Sequence, residues 1–194
     1  MELALLTALL LVLCVRGASC ARTCQIEAEL MDPVSMVKHN SSYYFGIYGK
    51  SSLRTAVSGH LVHVRSEENE NHGCSDYTHD LPDHDWVALV ERGQCYFTEK
   101  IRVATKQYNA SAIIVYDNAP TMTLVSMNTF VEDEVYLFVK QSFGRRLALL
   151  ADSGMHAHVT ITAVDSNDAL PAVTAASASL LCWTLLLCVA LLWP

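Results

Sequence analysis

Two unbroken apolar runs, Trp86-Val87-Ala88-Leu89-Val90 and Ala112-Ile113-Ile114-Val115-Tyr116, set the narrowest limits on what this chain can fold into. A strand with one face in water alternates apolar and polar residues, so runs like these read as strands buried on both faces. Gly93 breaks the chain after the first run. Phe97, Ile101, Ala104 and Tyr108 then recur at helical spacing, with Glu99, Lys100, Arg102 and Lys106 on other faces. Thr98 is the expected N-cap of that helix, and Asn109 stands where a left-handed C-terminal residue is wanted. Strand, helix and strand joined by short connections predict a right-handed parallel crossover.

The rest of the chain must supply the other strands. Tyr43–Ile47 and Gly59–Val64 are β-branched or aromatic runs bounded by Gly and Ser, and Val135–Val139 and Ala157–Val164 read as later strands, the last with Val159, Ile161 and Ala163 on one face. Gln141–Asp152 is predicted helical, with Phe143, Leu147 and Leu150 inward, and Ser153-Gly154 ends it. Ser66–Asp85 is polar and aperiodic, the pattern of a long surface loop. The fold class expected is α+β, β-rich early with crossover helices later.

Charge narrows the function classes. All but one of the 13 Lys+Arg and all but two of the 20 Asp+Glu lie between Arg22 and Asn167, and the whole chain carries a net charge of −7. An acidic domain without a basic stripe lacks the electrostatic footprint of a nucleic-acid binder, which excludes DNA and RNA as main partners.

The two ends read as addresses. In residues 1–21 an apolar run, Leu3–Val15, precedes Arg16 and the small residues Gly17-Ala18-Ser19-Cys20-Ala21, the pattern of a secretory signal cut before Arg22 or before Cys20; Glu2 stands where a basic residue is usual. Residues 22–165 form the expected domain. In 166–194 no charge follows Asp168, and two readings compete. Leu170–Pro194 is long enough for a transmembrane span, but no Lys or Arg follows to orient it. Alternatively Asn167-Asp168-Ala169, or a site beginning at Ser166, precedes a mildly polar spacer and an apolar tail in the proportions of a glycosylphosphatidylinositol (GPI) attachment signal. The second reading is favoured. Either one puts the domain in the lumen or outside the cell.

Of 7 cysteines, Cys14, Cys182 and Cys188 lie in the terminal apolar segments. An oxidising compartment makes Cys74–Cys95 the natural disulfide. Cys24 either pairs with Cys20, if Cys20 is retained, or is left free or available to a second chain. Asn40-Ser41-Ser42 and Asn109-Ala110-Ser111 are N-glycosylation sequons.

The run from Trp86 through Glu91-Arg92-Gly93-Gln94-Cys95-Tyr96-Phe97, then Lys100-Ile101 and Ala112–Asn118, resembles a protease-associated (PA) domain. Gly46-Ile47-Tyr48-Gly49, Gly59-His60-Leu61-Val62 and Val159-Thr160-Ile161 fall in the order of the PA ectodomains of goliath/GRAIL-type transmembrane RING ubiquitin ligases. The resemblance implies a PA fold, an open-barrel or sandwich-like sheet flanked by short helices, with no catalytic residue, metal or cofactor of its own. A RING needs eight Cys/His zinc ligands; only Cys182 and Cys188 follow the domain here, so ligase activity does not transfer to these residues. The expected function is therefore a non-catalytic module that binds another protein at the cell surface or in the endosomal lumen. The alternatives are a RING-less relative that binds ligase targets and a sorting-receptor-like ectodomain.

Other chemistry is poorly supported. His-Glu-x-x-His and Gly-x-Ser-x-Gly do not occur. His72, Cys74, His79, Asp80, Asp83, His84 and Asp85 are the richest metal-ligand set, yet they read as a solvated acidic loop whose cysteine is already used. His60, His63, His156 and His158 are candidates for an acid-sensing role in an endosome, but such residues are more often ordinary strand positions. The Cys74 loop and the Thr121–Glu134 loop, the latter through Glu132-Asp133-Glu134, are the expected partner-contact loops.

Overall fold

The computed structural model describes residues 22–164 except 33, 34, 36, 37, 68, 69 and 122. The expected signal and anchor segments, Ser166 and Asn167 included, lie outside the described residues.

The strands are β1 (Thr23–Met31), β2 (Lys38–Tyr48), β3 (Val57–His63), β4 (Trp86–Glu91), β5 (Ala112–Tyr116), β6 (Tyr136–Val139) and β7 (His156–Ala163). They close into a barrel in the order β1-β2-β6-β5-β4-β3-β7. Its parallel part is β3–β4–β5–β6, and antiparallel pairings of β2 with β6 and β3 with β7 join it to β1. The crossover between β4 and β5 is parallel, with Val87 opposite Ala112 and Glu91 opposite Tyr116.

The two apolar runs are explained by a core on each side of the sheet. Val87, Leu89, Ala112, Ile114, Leu137 and Val139 point to one side, where they meet Ile26, Leu61, Val159 and Ile161. Trp86, Ala88, Val90, Ile113, Val115, Tyr136 and Phe138 point to the other, under Ile101, Ala104 and Met127. With a core on both faces, alternation has nothing polar to alternate with.

Three expectations are corrected. The sequence predicts no strand before Tyr43, yet β1 alternates Cys24, Ile26 and Ala28 inward and pairs with both β2 and β7, so it closes the barrel. Thr98 does not cap the crossover helix. That helix, α1 (Phe97–Ile101), begins at Tyr96 with no side-chain cap bond, and it continues as a π-helical segment, Arg102–Gln107. The Thr105 hydroxyl donates to the Ile101 carbonyl at 2.9 Å, competing within the α register, and the Tyr108 amide donates to the Val103 carbonyl, one residue beyond the α partner. Ala163 is exposed at the end of β7, while Val159 and Ile161 are buried. Asn109 does take the left-handed conformation, φ 54°.

The second helix, α2 (Gln141–Ala151), buries Leu147 and Ala148 in the barrel core. Gly144 lets it approach Tyr116 so closely that a Cβ would lie 2.0 Å from the tyrosine Cβ. Cys24 is fully buried on the inner face of β1, and burial pushes its thiol up to about 12. A thiol so placed is out of reach of a second chain, which removes the interchain pairing considered for it.

Candidate functional site

The site begins with the backbone on either side of Phe130. Thr129 is buried, and its hydroxyl donates to the Tyr136 phenol oxygen at 2.9 Å. The Tyr136 phenol in turn donates to the Val131 carbonyl at 3.1 Å. Met127, two residues before Thr129, is fully buried, and its carbonyl accepts from the Lys50 amide. One buried tyrosine on β6 thus clasps both neighbours of Phe130, whose own side chain is left 98% exposed. A large apolar ring so presented on a tied backbone is held out by the fold rather than by chance of a loose loop.

Phe130 and Val131 form one wall of a groove of about 460 Å³, and Thr98, Arg102 and Lys106, on one face of α1 and the π-helical segment, line it as well. Tyr96, immediately before α1, is 85% exposed. It borders a second cleft of about 500 Å³ with Arg92, Gly93, Gln94, Cys95 and Phe97. Each of the two clefts beside the crossover helix thus carries one exposed aromatic side chain, Tyr96 in one and Phe130 in the other, and aromatic residues are enriched at interface centres.

The expected acidic contact triplet follows directly. Glu132 and Asp133 are exposed, and Asp133 has φ 63°. Glu134 is ion-paired with Lys106, and the hydrogen bond from that ammonium raises the Lys106 pKa. The triplet is thus split, Glu134 paired with Lys106 and Glu132 and Asp133 exposed, with Asp133 acting on Lys106 through space.

The Cys74 loop is anchored from the same side. Cys74 and Cys95 are disulfide-bonded, with Cα atoms 5.9 Å apart. Tyr77 is buried, stacks on Tyr108 with centroids 4.4 Å apart, and donates its amide to the Tyr108 hydroxyl at 3.0 Å. Lys100, expected on an outer face, is instead fully buried, and desolvation lowers its pKa to about 8. Its ammonium donates to the His72 carbonyl at 2.5 Å and lies 3.4 Å from Cys74 Sγ. Nearby, Asp117 is buried and receives Arg92 at 3.2 Å and the Thr121 hydroxyl at 2.7 Å. Burial alone would raise its pKa, but hydrogen bonds from Thr121, Ala119 and Arg92 outweigh it and hold the carboxyl below its ordinary value.

The metal-ligand set does not converge. His72 faces the Glu91 carbonyl at 3.4 Å, His79 stacks on Tyr77, His84 meets Asp83 at 3.2 Å, and Asp85 accepts from the Ser111 hydroxyl at 3.2 Å. Among the described residues no three such side chains are placed to hold a metal ion.

The histidines gather elsewhere. His60, His63, His79, His84 and His156 line a cleft of about 440 Å³. His60 lies 5.2 Å from His156 and 6.2 Å from His84, ring to ring. Burial first, then the nearby His156, His84 and His158, push its pKa down. His63 Nδ1 meets Asp152 at 2.8 Å, a pairing of the kind that orients a catalytic base. Its Nε2 faces the Tyr116 phenol at 3.4 Å, and burial raises that phenol to about 12. Of the sequons, Asn109 is exposed after the π-helical segment, and Asn40 lies in β2 opposite Leu30.

Residues 57–147 match the PA domain family. RING finger protein 150 of Danio rerio is 27% identical over 145 residues, which cover 72% of this chain and 34% of that protein. E3 ubiquitin-protein ligase RNF133 of Homo sapiens is 32% identical over 122 residues, 61% of this chain and 31% of that protein. The chain spans about a third of the length of these curated relatives. Among the described residues no helix is long and apolar enough to cross a membrane.

Proposed function

We propose that residues 22–165 work as a non-catalytic protein-recognition module, displayed on the luminal or extracellular side of a membrane. The observation that carries this reading is the Tyr136 clasp, which holds Phe130 out beside a groove of the crossover helix. Tyr96 and the exposed carboxylates Glu132 and Asp133 extend the surface, so its partner is a protein with an apolar anchor and basic neighbours. Residues 1–21 direct export, Asn40 and Asn109 receive glycans, and residues 166–194 attach the chain to the membrane, by a GPI anchor at Asn167 or Ser166 in preference to a retained span. Relatives named as ubiquitin ligases support one narrower reading, in which the domain binds targets of the kind such ligases select. The test is binding of the exported domain to intact cells with Tyr96→Ser and Phe130→Ser combined. Loss of binding with an unchanged melting temperature supports the surface, and unchanged binding refutes it.

A further inference from the structure

The best-buried cation among the described residues has no role in the surface just described. Lys100 is fully buried, yet its nearest partners are a carbonyl oxygen and a disulfide sulfur, both neutral. Glu91 and Glu70 act on it only through space. Burying an ammonium without a directly paired anion is costly. The pairing becomes favourable if Cys74 is a thiolate, because an adjacent lysine stabilises the thiolate and leaves the disulfide neutral and indifferent. A stabilised reduced form is what makes a disulfide oxidising and exchangeable.

Cys74 and Cys95 are both partly exposed. Cys95 lines the cleft of about 500 Å³ with Arg92 and Tyr96, a volume suited to a small molecule. It also closes a turn under backbone tension. Gly93 has φ 124° and Gln94 has φ 63°, and the Cys95 amide donates back to the Gly93 carbonyl at 2.8 Å. A three-residue turn with a left-handed non-glycine at its centre is uncommon and strained, so release of Cys95 lets it relax. The carbonyls of His72 and Gly93 stand 3.8 Å from Cys74 Sγ, and the first is already engaged by Lys100.

We propose that Cys74–Cys95 is a thiol-exchange site for low-molecular-weight thiols of the glutathione class, with Cys95 attacked from its cleft and Cys74 leaving onto Lys100. The thiolate sulfur forms a bond to Cys95 Sγ as the Cys95–Cys74 bond breaks, and the bonding pair departs on Cys74 Sγ as a thiolate. No net oxidation occurs in this step. A second thiolate then attacks the mixed disulfide, which yields two protein thiols and the oxidised small thiol. The leaving sulfur is fixed by the ammonium, since the better-stabilised thiolate leaves faster. Lys100 is a positioning residue here, and the exchange frees the turn that carries Tyr96.

The test equilibrates the full chain in reduced and oxidised glutathione at graded ratios, then quenches, alkylates and maps it by mass spectrometry. Trypsin cuts after Arg65, Arg92 and Lys100 put Cys74 and Cys95 on separate peptides. Glutathione is expected on Cys95. Lys100→Met, which keeps length and apolar bulk but not charge, is expected to shift the equilibrium at least tenfold toward the disulfide, about 30 mV for this two-electron couple. A purely structural lysine would change the melting temperature and leave that equilibrium in place. Glutathione on Cys74, no adduct at all, or a shift smaller than tenfold in folded Lys100→Met overturns the proposal. If Lys100→Met does not fold, the adduct position in the unaltered chain decides.

Discussion

His60 shows how a single side chain here is governed by its neighbours. It projects from β3 toward His156 and His84, and burial together with those imidazoles disfavours its charged form. His79 is lowered too, chiefly by burial. A histidine whose folded pKa is depressed binds its proton later than the unfolded chain does. Its stabilising contribution is therefore complete above the unfolded value of about 6.5 and declines as the pH falls from there toward the folded pKa. The melting temperature is expected to drop between pH 7.5 and pH 5.5, and His60→Gln should reduce that drop, as followed by circular dichroism. Equal drops in both proteins would show that His60 does not carry the effect. The sequence named His60 and His156 separately, but not their contact, because residues so far apart in the chain meet only through the β3–β7 pairing. The Thr121–Glu134 loop is an expected contact segment, but the sequence does not show which of its side chains projects, and Phe130 is the case in point. A lone phenylalanine in a loop ordinarily reads as buried, and only the Tyr136 clasp shows that this one is held out.

At the scale of elements, the crossover was legible because two unbroken apolar runs and one helical period admit few alternatives. The first strand was not, although Cys24, Ile26, Ala28 and Leu30 alternate. Its half-polar pattern is that of an antiparallel strand, which without a visible partner strand does not distinguish β1 from an irregular segment after the leader. The π-helical turn depends on the Thr105 hydroxyl and on Tyr108 packing over Tyr77, contacts that spacing alone does not encode. Because β1 bridges β2 and β7, its inward residues are part of the closed core. Ile26→Ala is expected to cost about 2–5 kcal/mol, the range for truncating a fully buried isoleucine. Gly144→Ala should also destabilise by about 1–3 kcal/mol, since its methyl group must displace Tyr116. Denaturant melts of the two variants check both. A neutral Ile26→Ala would mean that β1 is not a working stave of the barrel.

For the whole molecule, the leader-like residues 1–21, the sequons and the apolar residues 166–194 support the proposed display outside the cytosol, and the clasped aromatic surface is the proposed recognition surface. The GPI reading of residues 166–194 has its own check. Phosphatidylinositol-specific phospholipase C is expected to release from intact cells a domain that shifts on glycosidase treatment. Retention, alongside release of a GPI-anchored control, would favour a membrane span. The proposed recognition through the crossover-helix face is independent of how the chain is anchored. The most direct measurement is saturable binding of the tagged domain to intact cells, comparing the native chain with the Tyr96→Ser/Phe130→Ser pair and with Leu149→Ser. Leu149 is likewise exposed, at 73%, but lies on α2. The paired variant is expected to melt within about 0.5 kcal/mol of the native chain, as exposed substitutions do, and to bind at least tenfold more weakly, with Leu149→Ser unaffected. Binding by the pair equal to that of the native chain would contradict the account.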